Sequence, residues 1–290
     1  MQQTVSEEIT RKSASNLALA FVMLPREKRA AMSALYAYCR EVDDVADEDA
    51  IPVDARREQL AQWRAQTEAA CQNQPVTLPV IRELQPAISS FGLQWEHFHE
   101  LLLGVEADLE RDRYETYADL EEYCYRVASA VGLLSIQIFG FRNRKSVDYA
   151  IALGKALQFT NILRDIGNDA ERGRIYLPLE ALREFGVSQE QILRGEYSPQ
   201  FFQLADSFAA RARAYFREAR ELLPIEDRRS MIAANLMGVV YWRLLQRLEK
   251  QGYRVLGPRP TKLSKLHKIS LILGIWARHM VGMNTSRYGD

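Results

Sequence analysis

The sequence predicts an all-α fold, and three observations carry that prediction. Apolar residues recur at spacings near three to five through most of the 290 residues, as amphipathic helices require. The ten prolines stand at the edges of these runs. No sustained alternation of apolar and polar residues marks a strand. With no long linker, internal repeat or low-complexity tract, residues 1–290 are expected to form one helical domain. A polar tail is expected over about 1–12 and another over about 282–290.

The elements follow in order. Pro25 opens REKRAAMSALYAYCREVDDVADE, a run of strong helix formers free of interior Gly and Pro, with Ala30, Leu35, Tyr38 and Val42 spaced as one face. Further helices are expected over about 54–72, 92–107, 117–140, 145–169, 199–222, 227–251 and 264–281. The remaining prolines, at 52, 75, 79, 86, 178, 199, 224, 258 and 260, are expected between them.

Bulk properties bound the function. With 38 basic and 38 acidic residues, a nucleic-acid surface covering the whole protein is not expected. Cys39, Cys71 and Cys124 form no CxxC pair and are too few for a disulfide framework, which suggests a reducing, cytoplasmic setting. The opening MQQTVSEEITRKSASN lacks the apolar stretch of a signal peptide. The apolar run from Val131 to Phe141 is broken by Ser135, Gln137 and Gly140 and falls short of the roughly 20 residues that cross a bilayer.

Two acidic stripes stand out. In Tyr36-Ala-Tyr-Cys-Arg40-Glu-Val-Asp43-Asp44-Val-Ala-Asp47, helical spacing puts Asp43 and Asp47 on one face with Asp44 beside them, and Arg40 and Tyr36 extend the stripe backwards. Alone, this is most simply a solvated surface. The second stripe changes that reading. Gln158, Asn161, Asp165 and Asp169 recur at i, i+3, i+7 and i+11, while Phe159, Ile162, Leu163 and Ile166 make the rest of the helix apolar. Carboxylates on a buried helix need partners. Arg164 or Arg40 would supply them in a purely structural ion-pair network. Two hard-oxygen clusters without His or Cys instead suit Mg²⁺, which takes one or two carboxylates and completes its shell with water and phosphate. The pair of stripes therefore points to a pocket for a metal-chelated diphosphate beside an apolar cavity.

At these residues the chain resembles the squalene/phytoene synthase family of head-to-head prenyl transferases. The likeness is carried by SALYAYCREVDDVAD (33–47), YCYRVASAVG (123–132), QFTNILRDIGNDAERGRIYLP (158–178) and GVVYWRLL (238–245), and it runs from about Ser13 to Lys268. The opening LPREKRAAMSALYAYCREVDD and the GRIYLP segment look closest to the bacterial branch that makes presqualene diphosphate for squalene and hopanoids. The resemblance implies a helical bundle of the isoprenoid synthase type with a central apolar cavity. It further implies two farnesyl diphosphates as substrates and two or three Mg²⁺ ions bridging diphosphate. By position, Asp43, Asp47, Asp165 and Asp169 match the family's metal-binding aspartates, with Asn161 beside them and Asp44 as an accessory acid. Tyr36, Arg40, Gln158 and Tyr241 match positions near the diphosphates, and Phe21 matches an aromatic of the cavity wall. Leu17 and Asn16 depart from the family's usual aromatic and Ser, and Asn168 replaces a common acid.

Other residues propose less. Glu96-His-Phe-His99 gives one Glu-x-x-His spacing where a di-iron bundle needs two. Tyr123 and Tyr125 suit a core. No GxGxxG fingerprint supports a nicotinamide cofactor, so NADPH has no sequence support. The basic, apolar segment from Arg259 to Trp276 suits a docked helix, Arg259 closing over diphosphate, or peripheral contact with anionic lipid on the inner face of a membrane. The alternatives to presqualene diphosphate are phytoene synthesis from geranylgeranyl diphosphate and onward conversion to squalene or dehydrosqualene. A terpene cyclase and a non-enzymatic scaffold with ion-paired stripes are more distant rivals.

Overall fold

A computed structural model describes residues 5–12, 21, 23–257, 261–264, 270–271, 273–275 and 288–289. Among these residues there is no β-strand, only one isolated bridge between Arg113 and Ile175. The helices are α1 (Val5–Lys12), α2 (Arg26–Asp47), α3 (Val53–Cys71), α4 (Pro79–Phe91), α5 (Trp95–Ala107), α6 (Tyr117–Cys124), α7 (Ala130–Phe139), α8 (Lys145–Glu171), α9 (Leu179–Phe185), α10 (Gln189–Leu193), α11 (Pro199–Leu222) and α12 (Ile232–Lys250). A π-helical turn, Tyr125–Ser129, joins α6 to α7, and a 3₁₀ turn, Ile225–Asp227, precedes α12. No helix among the described residues is long and apolar enough to cross a membrane.

The expected elements are present, with instructive differences. Residues 5–12, read above as part of a polar tail, form α1, which packs on α2 and α4. Its first N–H groups, from Val5 and Ser6, donate to the Glu83 carboxylate at 2.9 Å each. Pro86, expected between helices, lies inside α4, while Pro79 opens that helix at its first turn, where a missing N–H costs nothing. Ala30 is exposed, whereas Leu35, Tyr38 and Val42 are buried as their spacing predicts. Of the helix expected over 264–281, only residues 270, 271 and 273–275 are described, and they are helical.

α8 forms the central element. It packs most extensively on α11, where Phe159 stacks on Phe208 with centroids 4.9 Å apart. The π turn crosses between α5 and α8 at two glycines. A Cβ on Gly154 would lie 2.6 Å from Ser129 Cα, and one on Gly104 would lie 2.6 Å from Val127 Cγ1. Only glycine permits that approach. α2 packs on α1, α3, α4, α5 and α7, oriented by Tyr38, whose ring meets Trp63 and Phe98 edge-on at 5.5 and 5.3 Å. The Tyr38 hydroxyl shares a 3.0 Å hydrogen bond with Thr67 Oγ1. Burying Leu35, Tyr38 and Val42 turns the Tyr36–Arg40–Asp43–Asp47 stripe away from these partners. The packing of α2 thus aims the acids.

Candidate active site

The C-terminal ends of α2, α5 and α8 converge. On α8, Phe159, Ile162, Leu163 and Ile166 are buried, while Gln158, Asn161, Arg164, Asp165 and Asp169 form a half-buried polar stripe. After α8 the chain turns back at Gly173, where φ is +75° and Arg174 N–H donates to Asp169 O at 2.8 Å. That turn throws two arginines across to α2: Arg172 and Arg174 reach Asp47 Oδ1 at 2.9 and 3.3 Å. The end of α2 is thereby tied to the turn after α8 by two arginines, where the sequence points only to Arg40 and Arg164 as partners for the acids.

The third wall was not foreseen. Asp108, just past α5, accepts hydrogen bonds from Tyr176 Oη at 2.8 Å and Tyr123 Oη at 2.9 Å. Arg174 extends toward its backbone carbonyl at 3.5 Å. Tyr123, expected as core, is indeed buried, yet its hydroxyl serves this acid. Asp112 stands four residues after Asp108, a carboxylate spacing like those of the two stripes, and that local signal could have found Asp108. Arg172, Arg174 and Tyr176 lie inside the GRIYLP segment and its approach, and only their closeness in sequence to Asp169 hinted at a role.

The acids divide into paired and unpaired groups. Arg40 pairs with Asp44 at 2.5 Å and Arg164 pairs with the adjacent Asp165, so the structural ion-pair reading holds for these two. Arg164 also meets the Tyr241 hydroxyl, which brings Tyr241 to the same region. Asp43 and Asp169 have no ion-pair partner among the described residues. Burial pushes Asp43 up to about 7; Arg40 opposes this, and Asp108, Asp47 and Asp44 add to it. Asp43 is nonetheless open to solvent. Burial likewise pushes Asp169 up to about 7, reinforced by Asp165 and Asp108 and opposed by Arg174. For Asp108, burial raises the value to about 6 against its tyrosine hydrogen bonds and Arg174. Surplus negative charge is therefore concentrated where the three helix ends meet.

The donor set fits a hard cation. Every candidate ligand is oxygen, and Asn161 Oδ1 is buried with no hydrogen-bond partner, while its Nδ2 donates to Gln158 Oε1 at 3.3 Å. Among the described residues no three His, Cys, Asp or Glu side chains gather into a ready cage. Such an incomplete set suits Mg²⁺ bound through a phosphate rather than by protein alone.

Farther back along α8 lies an apolar slot of about 110 Å³, walled by Phe21, Met32, Val131, Leu153, Leu157 and Met237 among others, with none of the acids in its lining. Leu157 precedes Asp165 by about 12 Å along α8, given a rise of about 1.5 Å per residue. The α8 wall of the slot, Tyr149 to Leu157, therefore lies on the N-terminal side of the acids. Phe21 lines it as expected and meets half-buried Tyr36 edge-on at 6.4 Å. A larger hollow of about 450 Å³ lies outside, between α1, α2 and α4; none of the acids above lines it. Arg259 lies outside the described residues; the chain leading to it passes behind α8, where Gly167 N–H donates to Val255 O at 3.0 Å.

A helical bundle that holds both an arginine-bridged acidic cluster and an apolar slot defines the isoprenoid synthase class. Two solved structures share the fold. A dehydrosqualene synthase in complex with ligand superposes with a TM-score of 0.84 at 31% identity, covering 95% of each chain. A squalene synthase from Alicyclobacillus acidocaldarius gives 0.77 at 29%, covering 86% of this chain and 93% of that one. The family model for squalene/phytoene synthase matches residues 10–267, and the chain belongs to that family. Its relatives include a presqualene diphosphate synthase of Rhodopseudomonas palustris, 38% identical over 89% of this chain and 92% of that one. A phytoene synthase of Arthrospira platensis is 34% identical over 87% and 85%.

Proposed function

We propose that this chain condenses two farnesyl diphosphates head to head, giving presqualene diphosphate and inorganic diphosphate, with all of its residues serving one catalytic unit. The observation that carries the proposal is the convergence of Asp43, Asp47, Asp108, Asp165 and Asp169 at one end of a helical bundle that also holds an apolar slot. In this reading Asp43, Asp47, Asp165, Asp169 and Asn161 would hold Mg²⁺, which when bound neutralises the leaving diphosphate as a Lewis acid. Arg172 and Arg174 hold Asp47, and Arg40 holds Asp44. An arriving diphosphate competes for those guanidinium groups, which match phosphate oxygens well. Tyr36, Gln158 and Tyr241 complete the polar rim, and the slot keeps water from the tails.

In the reaction, the allylic C–O bond of one substrate breaks and its diphosphate departs. The double bond of the second substrate attacks the cation to form a C–C bond, and loss of a proton closes the cyclopropane. No reductant is consumed to that point. Phe21, edge-on to Tyr36, offers the nascent cation an aromatic neighbour. Holding two tails side by side supplies part of the rate advantage.

The presqualene diphosphate synthases among the relatives support this product. Asp43→Ala or Asp165→Ala is expected to lower turnover of radiolabelled farnesyl diphosphate by two orders of magnitude or more while the circular dichroism stays helical. Full turnover in either folded variant refutes the assignment. Peripheral membrane contact through the basic segment beginning at Arg259 belongs to the same proposal, and flotation with anionic vesicles at low salt is its test.

A further inference from the structure

One side chain at the far end of the apolar slot stands between it and a second hollow. Phe139, the last residue of α7 and 4% exposed, lines the slot together with Tyr149. Tyr149 lies about 24 Å before Asp165 along α8 at about 1.5 Å per residue, so this is the end remote from the acids. Phe139 also lines a second hollow of about 770 Å³ on the outside, between the start of α2, the α7–α8 turn and the 3₁₀ turn. It is the single residue common to the two linings. The outer hollow has apolar walls at Met23, Leu24, Phe141 and Ile232, with exposed Arg142 and Arg229 at its rim.

The plug is held in place by its backbone. Lys28 Nζ donates to Phe139 O at 2.5 Å, a cation on the last carbonyl of a helix. Gly140 follows with φ +75°, and its N–H donates to Ile136 O at 2.9 Å. Beyond it, the buried Asp227 carboxylate accepts the N–H groups of Arg142 and Asn143 at 2.9 and 3.0 Å and the Ser146 hydroxyl at 2.7 Å. The ring is thus fixed by contacts that its own substitution leaves intact.

We propose that Phe139 sets the length of prenyl tail this enzyme accepts, by separating the slot from the outer hollow. Removing the ring joins the two spaces, and a tail one isoprene unit longer then passes on along Met23, Leu24, Phe141 and Ile232, the apolar part of a mixed lining, instead of meeting a wall. This inference rests on the prenyl-coupling reading of the site.

The test compares wild type, Phe139→Ala and Phe139→Leu with farnesyl and geranylgeranyl diphosphates, measuring kcat/KM for each and product length by mass spectrometry. Phe139→Leu keeps an apolar side chain and isolates the effect of bulk. The ratio of geranylgeranyl to farnesyl kcat/KM is expected to rise at least tenfold in Phe139→Ala, and less in Phe139→Leu, with C40 products appearing. A ratio within twofold of wild type in variants that still couple farnesyl diphosphate overturns the role of Phe139 alone. A wild type that couples neither substrate overturns the reading of the site, and this inference with it.

Discussion

Asp43 and Asp169 carry the clearest consequences of the site at the level of single side chains. Both are raised to about 7, chiefly by burial and with neighbouring carboxylates adding to it. Between the ordinary carboxylate value and 7, the folded chain keeps protons that the unfolded chain has released. Stability from these groups is therefore present below that window and lost as pH rises through it. Asp43→Asn is expected to raise the melting temperature at pH 8, by the equivalent of about 1 kcal/mol once solvent access is allowed for, and to flatten the loss between pH 5 and 8. The same variant is expected to lose activity, a split typical of a site that concentrates charge for function. Asp108 behaves differently because it satisfies two tyrosine hydroxyls. Asp108→Ala strands both and is expected to cost about 2–4 kcal/mol in urea unfolding, with Asp108→Asn milder because an acceptor remains.

Among the elements, the π turn at Tyr125–Ser129 depends on Gly104 and Gly154. Gly154→Ala drives a methyl into the Ser129 backbone, so α8 has to shift against α7. A loss of at least about 2 kcal/mol, read from the urea midpoint, is expected together with reduced activity, because α8 also carries Asn161, Asp165 and Asp169. Helical spacing made α2 and α8 legible: carboxylates four residues apart, and a polar stripe on an otherwise apolar helix, are local signals. Asp108 was less legible: its spacing to Asp112 is a signal of the same kind, but it joins the site through the meeting of α5 with the strap after α8, and no local pattern records that contact. Pro86 misled for a related reason. Proline reads locally as a break, yet α4 continues through it because its apolar face, including Val80, Leu84 and Ala87, is buried against the core.

For the molecule as a whole, the buried apolar residues form one continuous cluster from Phe21 to Tyr288, and the polar mouth is an interruption in it. A surplus of acids at that mouth repels itself, with Arg172 and Arg174 spanning α2 and the end of α8 as partial compensation. The protein is therefore expected to bind its ligand only when cation and diphosphate arrive together. Calorimetric titration of a non-hydrolysable farnesyl thiodiphosphate, with and without Mg²⁺, measures this directly. Binding in the presence of Mg²⁺, abolished by chelation and by Asp165→Ala, is the expected result; at a hundredfold excess over Kd it also stabilises the fold by about 2.7 kcal/mol. Binding of equal strength without metal, or none with it, contradicts the account.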